Sequence, residues 1–344
     1  MAETKPGTPP IRARIGNTVE EGRRQPAMCL SHHPRGEGLP INHLVQLSLG
    51  LQSDKRPDEY VALARRAEEG GLDAVSVYHD LFFQPAIAPL LLMARETERV
   101  RLGPAALNPY TLHPVEIAGQ IAALDLVSSG RAYLGLVQGA WLDRLGLEES
   151  RPLSSLREAV EVVRRLLAGD RSGFAGERFT LGPGAGLNYE PLRREVPLMI
   201  GTWGPRTAAY AGTVAQEVKL GGCANPDMVR LAREWIGNDD VGIVVGAVTV
   251  VDEDGDAARA RARAEVQLYL PVIAHRDPTL ELRPGQEPPL DRFVLAGTPA
   301  EVADHARSLF EAGASRVEFG TPQGLTTTGG VDLLVRSVVP LLHR

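Results

Sequence analysis

The stretch His43-Leu44-Val45-Gln46-Leu47-Ser48-Leu49-Gly50-Leu51-Gln52-Ser53 decides how the fold is read. Its first seven residues alternate as a strand does. The turn that follows, Gly50-Leu51-Gln52-Ser53, lacks the G-x-G-x-x-G spacing with which an open doubly wound sheet cradles a dinucleotide. Pro57 then suits the first position of a helix, with Asp58 and Glu59 in its first turn and Gly70-Gly71 at its end. Asp73 to Val77 is the next strand.

The same unit recurs downstream. Strands are expected at 100–103, 132–137, 196–200, 217–220, 241–251 and 316–319, and helices at 86–98, 114–128, 154–168, 204–214, 226–235, 255–272, 299–312 and 331–342. Thr298-Pro299-Ala300-Glu301 is a capping box with proline at the first helical position. About eight strand–helix pairs in series imply parallel strands with right-handed crossovers. With 344 residues and no dinucleotide fingerprint, the expected fold is an α/β (β/α)₈ TIM barrel with insertions. Residues 41–344 form that single domain in this reading. Residues 1–40, rich in Pro, Gly, Arg and Glu, are read as a flexible N-terminal extension.

Composition removes several function classes. Lys+Arg 37 against Asp+Glu 43 leaves a net charge of −6, without the basic stripe a nucleic-acid partner requires. No apolar run is long enough to span a bilayer, and the N-terminus has no signal-peptide apolar core. Cys29 and Cys223 form no C-x-x-C pair, and His32-His33 has no H-E-x-x-H context, so no metal site is expected. A cytoplasmic location fits free thiols. P-loop and nucleophile-elbow motifs are absent.

In a barrel the chemistry sits on the loops after the strands. After the second strand stand His79 and Asp80, candidates for proton transfer or for binding a ring heteroatom. Taken alone, the pair reads first as structural, with Asp80 capping or bracing its loop and His79 pointing to solvent. After the third strand, Ala105-Ala106-Leu107-Asn108 lies between Pro104 and Pro109, small residues that let a flat ligand approach the main chain. After the fourth, Gln138 and Gly139 precede Trp141, which walls a pocket or fills the rim. After the fifth, Gly201-Thr202-Trp203-Gly204-Pro205-Arg206 opens a helix, where free amides and a guanidinium suit an anion. After the sixth come Gly221, Gly222 and Cys223. Ordinary tight turns account for each of these segments taken alone.

Taken in order, the segments resemble the bacterial luciferase-like superfamily, in particular its branch near F420-dependent methylenetetrahydromethanopterin reductase. The resemblance rests on Ala64 to Asp73, Asn108-Pro109-Tyr110-Thr111-Leu112-His113-Pro114, Leu124 to Arg131, Gly201 to Pro205, Gly222 to Pro226, and Ala296 to Glu301. It implies a coenzyme across the barrel mouth and a non-proline cis peptide at Ala105–Ala106 behind its ring. Gly201 to Arg206 and Gly221 to Ala224 would meet the ribityl chain and phosphate, and His79 and Asp80 would stand by the reacting ring. The common order in that family is Asp then His, or two Asp residues, which His79-Asp80 reverses. The implied activity is hydride transfer between coenzyme F420 and a small carbonyl, imine or activated alkene, by a homodimer. The alternatives are an FMNH2-dependent monooxygenase of the same fold, with FMN as cofactor, and a barrel that binds a coenzyme without catalysis. Substrate choice is assigned to the irregular stretches 170–195 and 275–291.

Overall fold

The computed structural model describes residues 45–147, 151–267, 269–283 and 285–343. The chain divides after Asn42, and the unit from His43 to Arg344 holds the barrel. Cys29, His32 and His33 lie outside the described residues.

Eight parallel strands make the barrel: β1 (Gln46–Leu51), β2 (Ala74–Val77), β3 (Arg101–Pro104), β4 (Leu134–Leu136), β5 (Leu198–Gly201), β6 (Glu217–Gly221), β7 (Gly242–Val251) and β8 (Arg316–Gln323). Each pairs with its sequence neighbours, and β8 pairs with β1. Between β3 and β4 the bridges Leu102–Ala132 and Leu107–Leu136 complete the ring. A further strand, Val294–Gly297, lies on the end of β7. The helices are α1 (Pro57–Glu69), α2 (Ile87–Arg95), α3 (Pro114–Val127), α4 (Pro152–Ala168), α5 (Pro205–Val214), α6 (Pro226–Ile236), α7 (Gly255–Val266), α8 (Pro299–Glu311) and α9 (Thr327–Leu333).

The local signals act as read. Pro57 starts α1, and Thr298 and Glu301 cap each other's backbone at the start of α8. Two helices differ from expectation. The helix expected at 255–272 ends at Val266, and a separate short helix runs from Leu270 to Ala274. Pro271 has no N–H with which to continue the first one. The last helix begins at Thr327 and passes through a π-helical turn, Leu334–Val338, before Val339–Leu342.

The main core lies between strands and helices, where Leu47, Leu49, Val75, Leu102, Leu220, Val317 and Phe319 are fully buried. The barrel interior is different. Its apolar part is small: Ala74, Tyr133, Met199 and Val244, with Ala105 against them. The rest is charged. Arg316 donates to Glu217, which also accepts from Arg101. Further up, Lys219 and Ser76 donate to Glu318, and Tyr78 reaches it at 3.4 Å. Ser76 and Tyr133 share a hydrogen bond of 2.6 Å. Gly50 makes room for this group, since a Cβ there would lie 2.2 Å from the Tyr78 hydroxyl. Parallel register explains the arrangement: Glu217 and Lys219 are two apart on β6, Arg316 and Glu318 two apart on β8, so all four face inward.

The stretch 170–195 contains the short hairpin Phe174–Ala175 and Thr180–Leu181. It packs outside the barrel. Glu158 of α4 accepts the amides of Glu177, Arg178 and Phe179, and Arg193 forks onto buried Asp125 of α3.

Candidate functional site

A cavity of about 430 Å³ opens at the C-terminal ends of the strands. Residues from the ends of five strands border it. His79 and Asp80 follow β2, Ala105, Ala106 and Asn108 follow β3, and Gln138 and Gly139 follow β4. Gly201, Thr202, Trp203 and Gly204 come from the end of β5 and its turn, and Gly221 from the end of β6. Most of the predicted residues are therefore gathered around one space.

Four of them stand elsewhere. Leu107 is buried and belongs to the core between β3 and β4. Arg206 borders an adjoining cleft with Gln138 and Thr207. Gly222 turns away from the cavity in a left-handed conformation (φ +74°), with Ile273 over it. Cys223 is fully buried, and burial pushes its thiol up to about 12, which leaves it an inert thiol at neutral pH.

Part of the cavity wall is built from small residues, Ala105, Ala106, Gly139, Ala140, Gly201, Gly204 and Gly221. Ala105 and Ala106 are joined by a cis peptide, at the position the family resemblance indicated. A Cβ placed on Gly221 would meet nothing within 4 Å, so that wall opens directly onto the cavity. The two turns beside it are tied together. Trp203 donates its indole N–H to the Gly221 carbonyl at 2.8 Å, and Thr202 donates its amide to the Lys219 carbonyl at 3.0 Å. Gln138 donates to the Thr207 hydroxyl at 2.9 Å, which joins the loop after β4 to the start of α5.

His79 is half-buried, and its Nδ1 accepts the Ala86 amide at 3.3 Å. Burial lowers its pKa, with the neighbouring Asp80 acting in the opposite direction. An accepting Nδ1 puts the proton of the neutral ring on Nε2. Asp80 accepts from the Gln52 side-chain amide at 3.0 Å, and the Gln52 oxygen in turn accepts the Ser53 amide. Asn108 spends its side-chain oxygen on the amides of Tyr110 and Thr111, shaping the loop after β3.

Sequence reasoning missed Lys219 and Arg276, which also border the cavity. Lys219 sits over Glu318. Burial works to raise the Glu318 carboxyl, but Lys219 and Arg316 outweigh it and hold the group below the usual carboxylate range. Burial draws the Lys219 ammonium down while Glu318 supports it. A charged residue inside an otherwise apolar strand segment, Val218-Lys219-Leu220, was the available signal. Arg276 belongs to the irregular stretch 275–291. That stretch is anchored by Asn225, which donates to Asp277 and Thr279 at 2.8 Å. None of the residues 170–195 borders the cavity. Among the described residues no group of His, Cys, Asp and Glu is placed to hold a metal, and no helix is long and apolar enough to cross a membrane.

These features define a (β/α)₈-barrel enzyme with a cavity at the strand ends, walled in part by small residues, and titratable groups bordering it. The chain belongs to the family described as luciferase-like monooxygenase, whose profile matches residues 39–316. It is 28% identical over 323 residues to 5,10-methylenetetrahydromethanopterin reductase of Archaeoglobus fulgidus, covering 82% of this chain and 94% of that protein. It is 26% identical over 338 residues to F420-dependent glucose-6-phosphate dehydrogenase of Rhodococcus hoagii, covering 86% of this chain and 98% of that one. Among solved structures, the coenzyme F420-dependent tetrahydromethanopterin reductase of Methanopyrus kandleri superposes with a TM-score of 0.76 at 24% identity, over 86% of this chain and 99% of that one. That last likeness carries the fold.

Proposed function

We propose that this protein is an F420-dependent oxidoreductase that moves hydride between the deazaflavin and a small organic substrate with a carbonyl, imine or activated alkene. The observation that carries the reading is the cavity wall of Ala105, Ala106, Gly201 and Gly221, which presents methyl groups and backbone to a planar ring. A volume of about 430 Å³ is within the range of small-molecule sites. Full-length likeness to two enzymes named for reduction and dehydrogenation supports the choice of chemistry.

In this reading Ala105, Ala106, Asn108, Gln138 and Gly139 bound the ring, and Gly201, Thr202, Trp203 and Gly204 meet its side chain. Arg206 at the start of α5 suits the phosphate. The bound coenzyme supplies hydride transfer at its ring carbon. The protein excludes water and handles the proton. His79 holds a proton on Nε2 at the cavity, and Asp80 is a carboxylate fixed by Gln52; either moves the proton that accompanies hydride. Lys219 places an ammonium on the cavity floor, where it favours an oxygen gaining negative charge.

The test is a fluorescence titration of the purified protein with F420 and with FMN, oxidised and reduced. Tight binding of F420 is expected. Preference for FMN, with oxygen consumed on turnover, would replace this reading by a monooxygenase, the activity the family's description carries.

The proposal extends to assembly and place. Exposed Leu92, Leu126, Val127 and Leu192 support a homodimer, which light scattering checks. A cytoplasmic location, and residues 1–40 as an extension outside a single barrel from 41 to 344, complete the reading.

A further inference from the structure

The hairpin of the stretch 170–195 borders no part of the cavity, yet its tip rests on a loop that does. That loop runs from Asn108 to His113, between β3 and α3. Asn108 is buried and borders the cavity, and its side-chain oxygen accepts the amides of Tyr110 and Thr111 at 3.0 Å. Asn108 therefore keeps its place only while Tyr110 and Thr111 keep theirs.

The hairpin meets both ends of this loop. The Arg178 guanidinium lies over the Tyr110 ring, 4.1 Å from its centroid. Phe179 is buried and meets the His113 ring edge-on, with centroids 5.3 Å apart. His113 in turn accepts the Val115 amide at 3.2 Å and caps α3. The tip is itself fixed, because Glu158 of α4 accepts the consecutive amides of Glu177, Arg178 and Phe179 at 2.9, 2.9 and 3.0 Å. From the same helix, the Ser155 hydroxyl accepts from the Tyr110 hydroxyl at 3.4 Å. Arg178 is exposed, so removing its contact with Tyr110 opens no part of the core.

We infer that Arg178 is a positioning residue for the coenzyme. It does not border the cavity and acts through Tyr110, by holding the Asn108 loop in the form that receives the ring. The inference rests on the reading of this cavity as a coenzyme site. A loop set before binding costs little ordering when the ring arrives. Affinity falls as the free protein spends less time with the loop set. The hairpin thus acts on coenzyme affinity from outside the barrel.

The test uses the full chain carrying Arg178→Met, which keeps a long stem and removes the charge. Hydrogen exchange at the Tyr110 and Thr111 amides reads the loop, and fluorescence titration with F420 reads the site. Exchange in the free protein is expected to quicken by about two- to fivefold, the size of one exposed cation–π contact. F420 affinity is expected to fall by about twofold or more, with an unchanged thermal midpoint. Arg178→Lys is expected to restore most of both. Both effects are expected to persist in a Tyr110→Phe background, which keeps the ring, and to vanish in Tyr110→Leu, which lacks it. Unchanged exchange, or quickened exchange with unchanged F420 affinity, would overturn the inference and leave the deazaflavin reading standing. An undiminished effect of Arg178→Met in the Tyr110→Leu background would overturn it as well. Binding of FMN in place of F420 would remove the deazaflavin reading, and the same comparison made with FMN would then decide for or against Arg178.

Discussion

The imidazole of His79 faces the cavity with its Nδ1 turned back onto the amide of Ala86, 3.3 Å away at the start of α2. That bond needs an unprotonated Nδ1, so protonation of the ring breaks it. Burial lowers the His79 pKa, and the unfolded chain therefore takes up its proton first as pH falls. The stability due to neutral His79 is complete above the ordinary histidine value of about 6.5 and is lost as pH drops toward the lower folded value. Half-buried His305, whose pKa is also lowered, adds to the same loss. Thermal midpoints measured from pH 7.5 downward are expected to fall, and to fall less in His79→Gln. An identical slope in the variant would mean that His79 does not titrate this way.

Two glycines at the cavity should respond differently to a side chain. At Gly221 a Cβ meets nothing within 4 Å, whereas at Gly201 it meets Val137 at 2.6 Å. Gly221→Val is expected to fold with a near-native melting midpoint and to weaken F420 binding at least about tenfold by filling the cavity. Gly201→Val is expected to lower the midpoint itself. Normal coenzyme affinity in Gly221→Val would place the ring elsewhere.

The Lys219–Glu318 pair is buried on both sides, and Glu318 has no exposed surface. Lys219→Met leaves that carboxylate without its ammonium and is expected to cost about 3–5 kcal/mol in denaturant unfolding. Adding Glu318→Gln should recover most of the loss, because the uncompensated charge is gone. A single variant as stable as wild type would show that water or Arg316 already satisfies Glu318.

Arg131 offers a control outside the site. Its guanidinium donates to the carbonyls of Ala94, Thr97, Val100 and Ser128, tying the ends of α2 and α3 to the start of β3. Arg131→Ala is expected to destabilise the fold by about 2–3 kcal/mol while F420 affinity stays within about twofold. Selective loss of binding would instead tie that corner to the cavity.

The fold was legible because its signals are local. Pro57, Gly70 and the Thr298–Glu301 box mark helix ends by backbone chemistry that tertiary packing did not override. The strand ends were legible by order, and they converge on one cavity. The inward charges were not. Period-two alternation puts Glu217 with Lys219 and Arg316 with Glu318, but strands covered on both faces give no sign of which face is the barrel interior. The stretch 170–195 misled for a related reason. Its Gly and Pro content marks a loop, and only packing of Glu158 and Arg193 against it shows that it lies outside the barrel.

Trp141 and Trp203 border the cavity, whereas Trp235, the third and last tryptophan of the chain, lies on α6. Two indoles thus stand beside the place where a ring absorbing near-ultraviolet or blue light would lie. Their emission is available for transfer to that ring, so the protein carries its own optical gauge of occupancy. Dimming of tryptophan light would follow filling of the barrel mouth without any attached dye, and changing Trp203 or Trp141 to Phe would show which indole reads it.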